Sequence, residues 1–455
     1  MVVVTGTYIA ECFKAGDKFF DLDEGLIEIL PVARIVDISY DKRKRQTGHG
    51  FDPTKNPLIR TVRNKFKSHH LDIFHDRIVY AVNKGIEQHI VFPAKEDSTI
   101  IDISTIQDII VRVTGQVFAG NAAAENKELL EAMSAYSQCI FNASLFYVLF
   151  PPVIADFITR HFLSVGKHIN VMLKVMTPIL DEIKQHEDLY GTSEPADFMH
   201  MMLHTPNAKG DMPTTEEVAF WLQDIAFASI HTTSLFTTFA LHNLSDRPDI
   251  QELLRNEVDY IKQKHGKLVP EAVKDMHVID SFLRETLRVG GDYIGINHKT
   301  MQDTMMSNGT VIPKGVSVGM AVNDAHTDPV IQGTSIGDIP LTEIDPLRFV
   351  NRRSKKSTAV GPDLLVFGMG YHACPGRYFA KQEICYLLAR LLDQFDVSPV
   401  TKSGKRAPNA LAMVSTQENE NCKGMRYADD GSLKKIKQGI IQLPPEQGLK
   451  LTRRW

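Results

Sequence analysis

Cys374 lies in the run Phe367-Gly368-Met369-Gly370-Tyr371-His372-Ala373-Cys374-Pro375-Gly376-Arg377. These residue types and spacings suit the presentation of one thiolate to a metal. Gly368 and Gly370 allow a tight turn and a close backbone approach to a flat ligand. Pro375, directly after the cysteine, sits as an N1 proline does, with φ preset for a helix and no N–H to leave unpaired. An apolar, helix-periodic stretch runs from Tyr378 to Leu392. Cys374 therefore stands at a helix N-terminus, where free N–H groups and the positive dipole end favour thiolate over thiol. A haem iron held by such a thiolate is the cofactor chemistry this loop points to, and it is chemistry that favours O–O cleavage. The other reading of the loop is a buried structural cysteine in a glycine-rich turn.

Two further patterns carry polar side chains through apolar surroundings. Glu285 and Arg288 are three apart in Ser281-Phe282-Leu283-Arg284-Glu285-Thr286-Leu287-Arg288-Val289, so they share a helix face and can pair. Ala228-Ser229-Ile230-His231-Thr232-Thr233 falls midway along a long apolar stretch. That stretch opens at Pro213-Thr214-Thr215-Glu216-Glu217, where Thr214 and Glu217 form a capping-box pattern, and it stops at Ser245-Asp246-Arg247-Pro248. About 30 residues at 1.5 Å each give a rod of about 45 Å, enough to cross a domain.

Taken together, in this order, the patterns resemble the cytochrome P450 family. Its haem-binding signature, Phe-x-x-Gly-x-x-x-Cys-x-Gly, is matched at Phe367, Gly370, Cys374 and Gly376. The resemblance implies a mainly α fold with a small β-rich region, haem as cofactor, and Cys374 as the axial iron ligand. It implies that Glu285 and Arg288 form a buried structural pair joined by Arg348, from Asp345-Pro346-Leu347-Arg348-Phe349. It also implies that the segment around Thr232 crosses the oxygen-activating face, with Thr232 supplying a proton-steering hydroxyl. Ser229 stands where the family usually has glycine, and His231 where it usually has Asp or Glu. His231 either shuttles protons, its ordinary pKa being about 6.5, or makes a structural hydrogen bond on the back of the helix. The His-Thr-Thr variant resembles fungal members that oxidise terpenoids. The family's propionate-holding arginine is absent near Asn297-His298-Lys299-Thr300, so His298, Lys299 or, better placed in the loop, His372 takes that role by resemblance.

The elements that must position these residues are legible around them. Val2–Val4 reads as a strand, Tyr8 to Phe20 as helical, and Asp21 to Pro57 as an irregular stretch over the substrate pocket. Leu71 to Ile90 is amphipathic, Ser307 to Gly315 resembles an Asn-Gly turn and Ile-Pro-Lys-Gly strand, and the chain turns β-like after Phe395. Glu418 to Gly439 is polar and matches no pattern, as an insertion would. The chain has 455 residues, 43% hydrophobic and 23% charged, enough for a large core, and it is expected to form a single catalytic domain over residues 1–455. A net charge of −4 argues against a nucleic-acid partner. Five scattered cysteines have neither metal spacing nor a disulfide framework.

The expected function is that of a haem-thiolate monooxygenase acting on a lipophilic small molecule, a terpenoid or other secondary metabolite, with O2 as co-substrate. No Rossmann or P-loop fingerprint occurs, so electrons are expected from an NADPH-dependent reductase. Phe227, Ala228, Tyr293, Ile294 and Met413 are expected to line an apolar pocket. Fungal and other eukaryotic family members usually carry an N-terminal anchor of about 20 residues, and by that resemblance the protein is expected at the cytoplasmic face of the endoplasmic reticulum. No such anchor or hinge is seen here, so membrane association is expected only of a full-length protein. Two other readings stand beside this one: a haem enzyme that rearranges or dehydrates without external electrons, and a non-catalytic truncated product.

Overall fold

The computed structural model describes residues 1–40, 56–67, 70–191, 197–207, 209–291, 295–333, 339–352, 354–413 and 440–454. The chain folds into a mainly helical body with several small sheets. The rod predicted after Pro213 is the helix Thr215–Ser245, 31 residues long. Its start is fixed by a reciprocal cap: Glu217 N–H donates to Thr214 Oγ1 at 3.2 Å and Thr214 N–H donates to the Glu217 carboxylate at 2.7 Å. Most of its length is buried, so its hydroxyls must find partners inside the helix. Ser229, Thr232, Ser234, Thr237 and Thr238 each donate to the carbonyl four residues back, at 2.6–2.8 Å.

Around this rod pack the helices Ile103–Thr114, Lys127–Leu149 and Val165–Tyr190 on one side. Arg377–Gln394 and His277–Val289 pack on the other. Arg377–Gln394 is buried at Phe379 and over most of Gln382 to Leu392, the polar Gln382 and Glu383 included. An aromatic cluster supports it: Phe66 stacks on Phe118 with centroids 5.1 Å apart and meets Phe379 edge-on at 5.5 Å.

Val2–Val4 runs parallel to Ser317–Met320, which pairs antiparallel with Gly295–Thr300, and that strand pairs antiparallel with Phe20–Asp21. A three-stranded antiparallel sheet joins Ser98–Ile101, Leu449–Arg453 and Phe395–Pro399. Ala410–Met413 pairs with Ile440–Leu443. The Asn-Gly turn closes the small hairpin Thr304–Met305 with Val311–Ile312, with Gly309 at φ +83°.

The stretch after Asp21 is more regular than expected up to Tyr40. Asp21 caps the helix Leu22–Ile27 by accepting from Glu24 N–H at 2.9 Å. A second short helix, Val32–Ser39, forms because Ile35 and Val36 are buried in the core. The first helix ends earlier than expected, at Ala15, because Gly16 takes φ +73°. The unmatched stretch Glu418 to Gly439 lies outside the described residues.

Candidate active site

The cysteine loop leaves the isolated bridge Gly361–Leu364 and enters the helix Arg377–Gln394. Gly368 and Gly370 take φ +69° and +66°, the left-handed region in which any other side chain is strained. Cys374 N–H donates to Phe367 O at 2.7 Å, which pins the cysteine across the turn. Burial pushes the Cys374 thiol up, while N–H groups of Gly376 and Arg377 and the Arg377 charge act on the sulfur in the opposite direction. A bound cation of high charge would complete that reversal and hold the sulfur as thiolate. Cys385, more than two turns into the following helix, is wholly buried and pushed up further by burial, with no such N–H donors.

Three charged side chains fix the loop from outside. Arg377 donates to Cys374 O at 2.7 Å and Thr358 O at 3.1 Å. Arg63, from the helix Pro57–Lys65, donates to Tyr371 O and lies 4.8 Å over the Tyr371 ring. His372 Nε2 is 2.7 Å from Asp17 Oδ1, whereas its Nδ1 is buried without a partner among the described residues. A buried ring nitrogen in the cysteine loop with no partner among the described residues calls for an anionic or polar group. His298 is buried in its strand, its Nδ1 at 2.9 Å from Ile296 O and its ring edge-on to Phe13 at 5.1 Å. Burial lowers the His298 pKa. Lys299 turns away to Glu28, at 2.7 Å.

On the long helix, Ala228 and Thr232 are one turn apart and both exposed, although the helix around them is largely buried. They therefore mark an open face in the middle of the molecule. Phe227 is half-buried against the core. Ser229 Oγ is 3.3 Å from Thr114 Oγ1, tying the helix to Ile103–Thr114 just before a single π-turn at Gly115–Ala119. His231 lies against Phe141, ring centroids 4.5 Å apart, and burial lowers its pKa. Tyr293 and Ile294 lie outside the described residues, and the Met413 backbone belongs to a marginal strand whose side chains are likewise not described.

The charge cluster is brought together fully. Glu285 and Arg288 have no exposed side-chain surface, and Arg288 donates to both carboxylate oxygens at 2.7 and 2.9 Å. Arg348 joins at 3.1 Å and Asp345 N–H at 3.0 Å. Arg288 also donates to the carbonyls of His326 and Leu341. His326 is held as a neutral donor–acceptor: Nδ1–H faces Arg288 O at 2.8 Å and Nε2 accepts from Leu365 N–H at 2.8 Å. Its pKa is lowered by burial to about 4. The cluster thus reaches Leu365, two residues before Phe367.

Sequence reasoning did not single out Arg63, Asp17, Arg284 or Arg377. Arg284 is wholly buried and pairs with Asp363, which also accepts from Lys355 at 2.6 Å. Its one signal was its place beside Glu285. Arg63 and Asp17 lie 308 and 355 positions from their partners, and no local pattern marks them.

The group that fits these features is a haem. The loop offers one sulfur at a helix start, with glycine backbone where a flat macrocycle must come close. The buried His372 nitrogen offers a partner for a propionate, and the exposed Ala228–Thr232 face is polar at only one point.

A family model described as cytochrome P450 matches residues 86–422. The chain is 28% identical over 344 residues to cytochrome P450 monooxygenase 103 of Postia placenta, spanning 73% of this chain and 67% of the relative. It is 27% identical over 356 residues to cytochrome P450 monooxygenase prx8 of Penicillium rubens, spanning 75% and 62%. These matches therefore span roughly two thirds of the relatives' lengths. Among solved structures, retinoic-acid-bound cyanobacterial CYP120A1 is similar with a TM-score of 0.70 at 18% identity, over 99% of this chain and 89% of that one. That likeness is one of fold.

Proposed function

The chain belongs to the cytochrome P450 family, and on that premise we propose that it is a haem-thiolate monooxygenase with Cys374 as the axial ligand. Haem bound through a thiolate supplies dioxygen activation, delivering one oxygen atom to a C–H bond. Once haem is bound, the Gly376 and Arg377 N–H groups would stabilise negative charge on the Cys374 sulfur against the burial that disfavours it, and the Arg377 guanidinium would add to that field. His372, held by Asp17 at Nε2, would offer its Nδ1 to a haem propionate. His298, buried and bonded to its own strand, is the lesser candidate for that contact.

On the opposite side, Thr232 donates to Ala228 O at 2.8 Å, which leaves its oxygen lone pairs free to accept a proton-relay partner. His231 is one residue away and can serve that relay, or can act only through packing on Phe141. Phe227 and Ala228 give this face an apolar border, which suits a lipophilic substrate; a terpenoid is the first class to try. Electrons would come from an NADPH-dependent reductase. No helix among the described residues is long and apolar enough to cross a membrane, and attachment to the endoplasmic reticulum rests on resemblance.

The observation that carries the proposal is the Cys374 sulfur faced by two helix-start N–H groups inside a pinned glycine loop. The carbon-monoxide difference spectrum of reduced protein tests it. A thiolate-type band is expected, together with O2 uptake that requires NADPH, reductase and an apolar substrate. Absence of the band in haem-loaded protein overturns the ligand assignment. Substrate turnover without NADPH points instead to rearrangement or dehydration.

A further inference from the structure

Away from the cysteine loop, three side chains with metal-ligand atoms converge between consecutive helices. Glu187 lies in the last turn of Val165–Tyr190, His200 within Phe198–Leu203, and His204 at that helix's C-cap. The histidines are four apart and so share a helix face. Asp197 fixes the helix start by accepting from His200 N–H at 2.8 Å. Both imidazoles turn Nε2 toward one carboxylate: His200 at 2.8 Å and His204 at 3.2 Å from Glu187. All three ligand atoms lie within 4.8 Å of one another.

Glu187 and His200 are buried, with 8% and 6% of their side chains exposed, whereas His204 keeps 37%. Among the described residues no lysine or arginine pairs with Glu187; its partners are the two rings. Burial pushes the Glu187 carboxyl up, and hydrogen bonds and charge from the histidines more than offset this, leaving it low. A buried carboxylate with only two imidazoles as side-chain partners among the described residues is a ready anionic ligand. Two rings and one carboxylate are what a divalent transition metal requires.

We propose that Glu187, His200 and His204 form a zinc-class metal site that staples the end of Val165–Tyr190 to the helix Phe198–Leu203. Zinc bonds of about 2.0–2.1 Å in a tetrahedron place ligand atoms about 3.3 Å apart. The distances of 2.8 and 3.2 Å need only a small expansion as ring protons give way to the metal at Nε2. The fourth position faces the partly exposed His204 side, where water completes the tetrahedron. The mixed imidazole–carboxylate set favours zinc over calcium or magnesium, which prefer all-oxygen shells. The site's role is structural: metal binding adds its free energy to the folded form alone.

The test uses the haem-loaded full chain, freed of metal by chelator and titrated with Zn2+ in calorimetry, with X-ray absorption at the zinc edge. One zinc per chain is expected, with two imidazoles in its shell, and the unfolding midpoint should rise on binding. Glu187→Gln and His204→Ala should each weaken zinc affinity by at least about tenfold and abolish the midpoint shift. Haem content and the carbon-monoxide spectrum should stay as in the parent. His161→Ala, at an exposed histidine elsewhere, should bind as the parent does. Should Glu187→Gln fail to fold, His204→Ala decides alone, since His204 is partly exposed. No stoichiometric zinc in the parent, a shell without two imidazoles, or parent-like affinity in His204→Ala overturns the site.

Discussion

Arg288→Ala is the sharpest test of how the loop is held. In the parent, Glu285 accepts from Arg288 at 2.7 and 2.9 Å, Arg348 at 3.1 Å and Asp345 N–H at 3.0 Å, with both paired charges wholly buried. Removing Arg288 takes away the bidentate partner and the donor to the carbonyls of His326 and Leu341. Breaking one side of a buried pair costs about 3–5 kcal/mol, a loss of about two to three and a half powers of ten in the folded-to-unfolded ratio. Set against a total stability of about 5–15 kcal/mol, that is enough to lower haem-loaded yield outright. The control is a pair of the same shape in water. Arg247 and Asp249 also meet bidentately, at 2.9 and 2.6 Å, but with 41% and 62% of their side chains exposed. Arg247→Ala should cost less than about 1 kcal/mol. Urea unfolding of haem-loaded protein, followed by circular dichroism and by haem absorbance, measures both. If the two variants lose similar stability, burial is not what makes the Glu285 cluster matter, and the reasoning fails.

Four further outcomes follow from the same geometry. Cys374→Ala should lose the thiolate-type carbon-monoxide band and all turnover, whereas Cys385→Ala and Cys12→Ala should keep both; a retained band in Cys374→Ala refutes the ligand. Thr232→Ala should fold and bind haem normally yet convert more NADPH to peroxide per product, and unchanged coupling would remove the hydroxyl from the relay. His326 has its pKa lowered from 6.5 to about 4, so the unfolded chain binds its proton first as pH falls. Stability should therefore be intact above pH 6.5 and lost between 6.5 and 4, by about 3 kcal/mol in all; His326→Gln should flatten that slope, and an unflattened slope in chemical unfolding refutes it. His231→Phe should lower coupled turnover by about tenfold if the ring relays protons. Parent-like coupling across pH would assign His231 to packing on Phe141.

What could be read from the chain was whatever is local. The capping box at Thr214 and Glu217, the glycine turn before Cys374 and the Asn-Gly hairpin each depend on neighbours within a few residues, and each formed where the pattern lay. The Glu285–Arg288 spacing is also local, but Arg348 entered only through resemblance, because nothing in the intervening 60 residues dictates that contact. The supports of the loop were illegible for the same reason. Asp17 and Arg63 arrive from the far end of the chain, and a lone Asp in a turn or a lone Arg on a short helix looks like any solvated charge. The region after Asp21 reads as irregular because its apolar runs are too short to show a period; tertiary burial of Ile35 and Val36 makes the helix there.

These distant supports suggest why the cysteine loop is built as it is. A thiolate beside helix-start N–H groups is favoured only while the loop keeps its shape, and Gly368 and Gly370 by themselves make that loop more mobile. The shape is imposed from three directions. His326 carries the Glu285–Arg288 cluster to Leu365 N–H, Arg377 clamps Cys374 O to Thr358 O, and Arg63 and Asp17 hold Tyr371 and His372. Each clamp is charged or charge-linked, and each ends on backbone or on a residue within nine positions of the cysteine. The residues that perform chemistry can then be few, because the cost of ordering the loop is met by groups that never touch substrate. It follows that Arg63→Ala, which leaves Cys374 and its helix untouched, should weaken haem retention without changing the thiolate character of the haem that stays bound. Haem dissociation to an acceptor protein, timed beside the carbon-monoxide spectrum, separates those two quantities; a slow, parent-like loss would mean that the glycine turn holds itself.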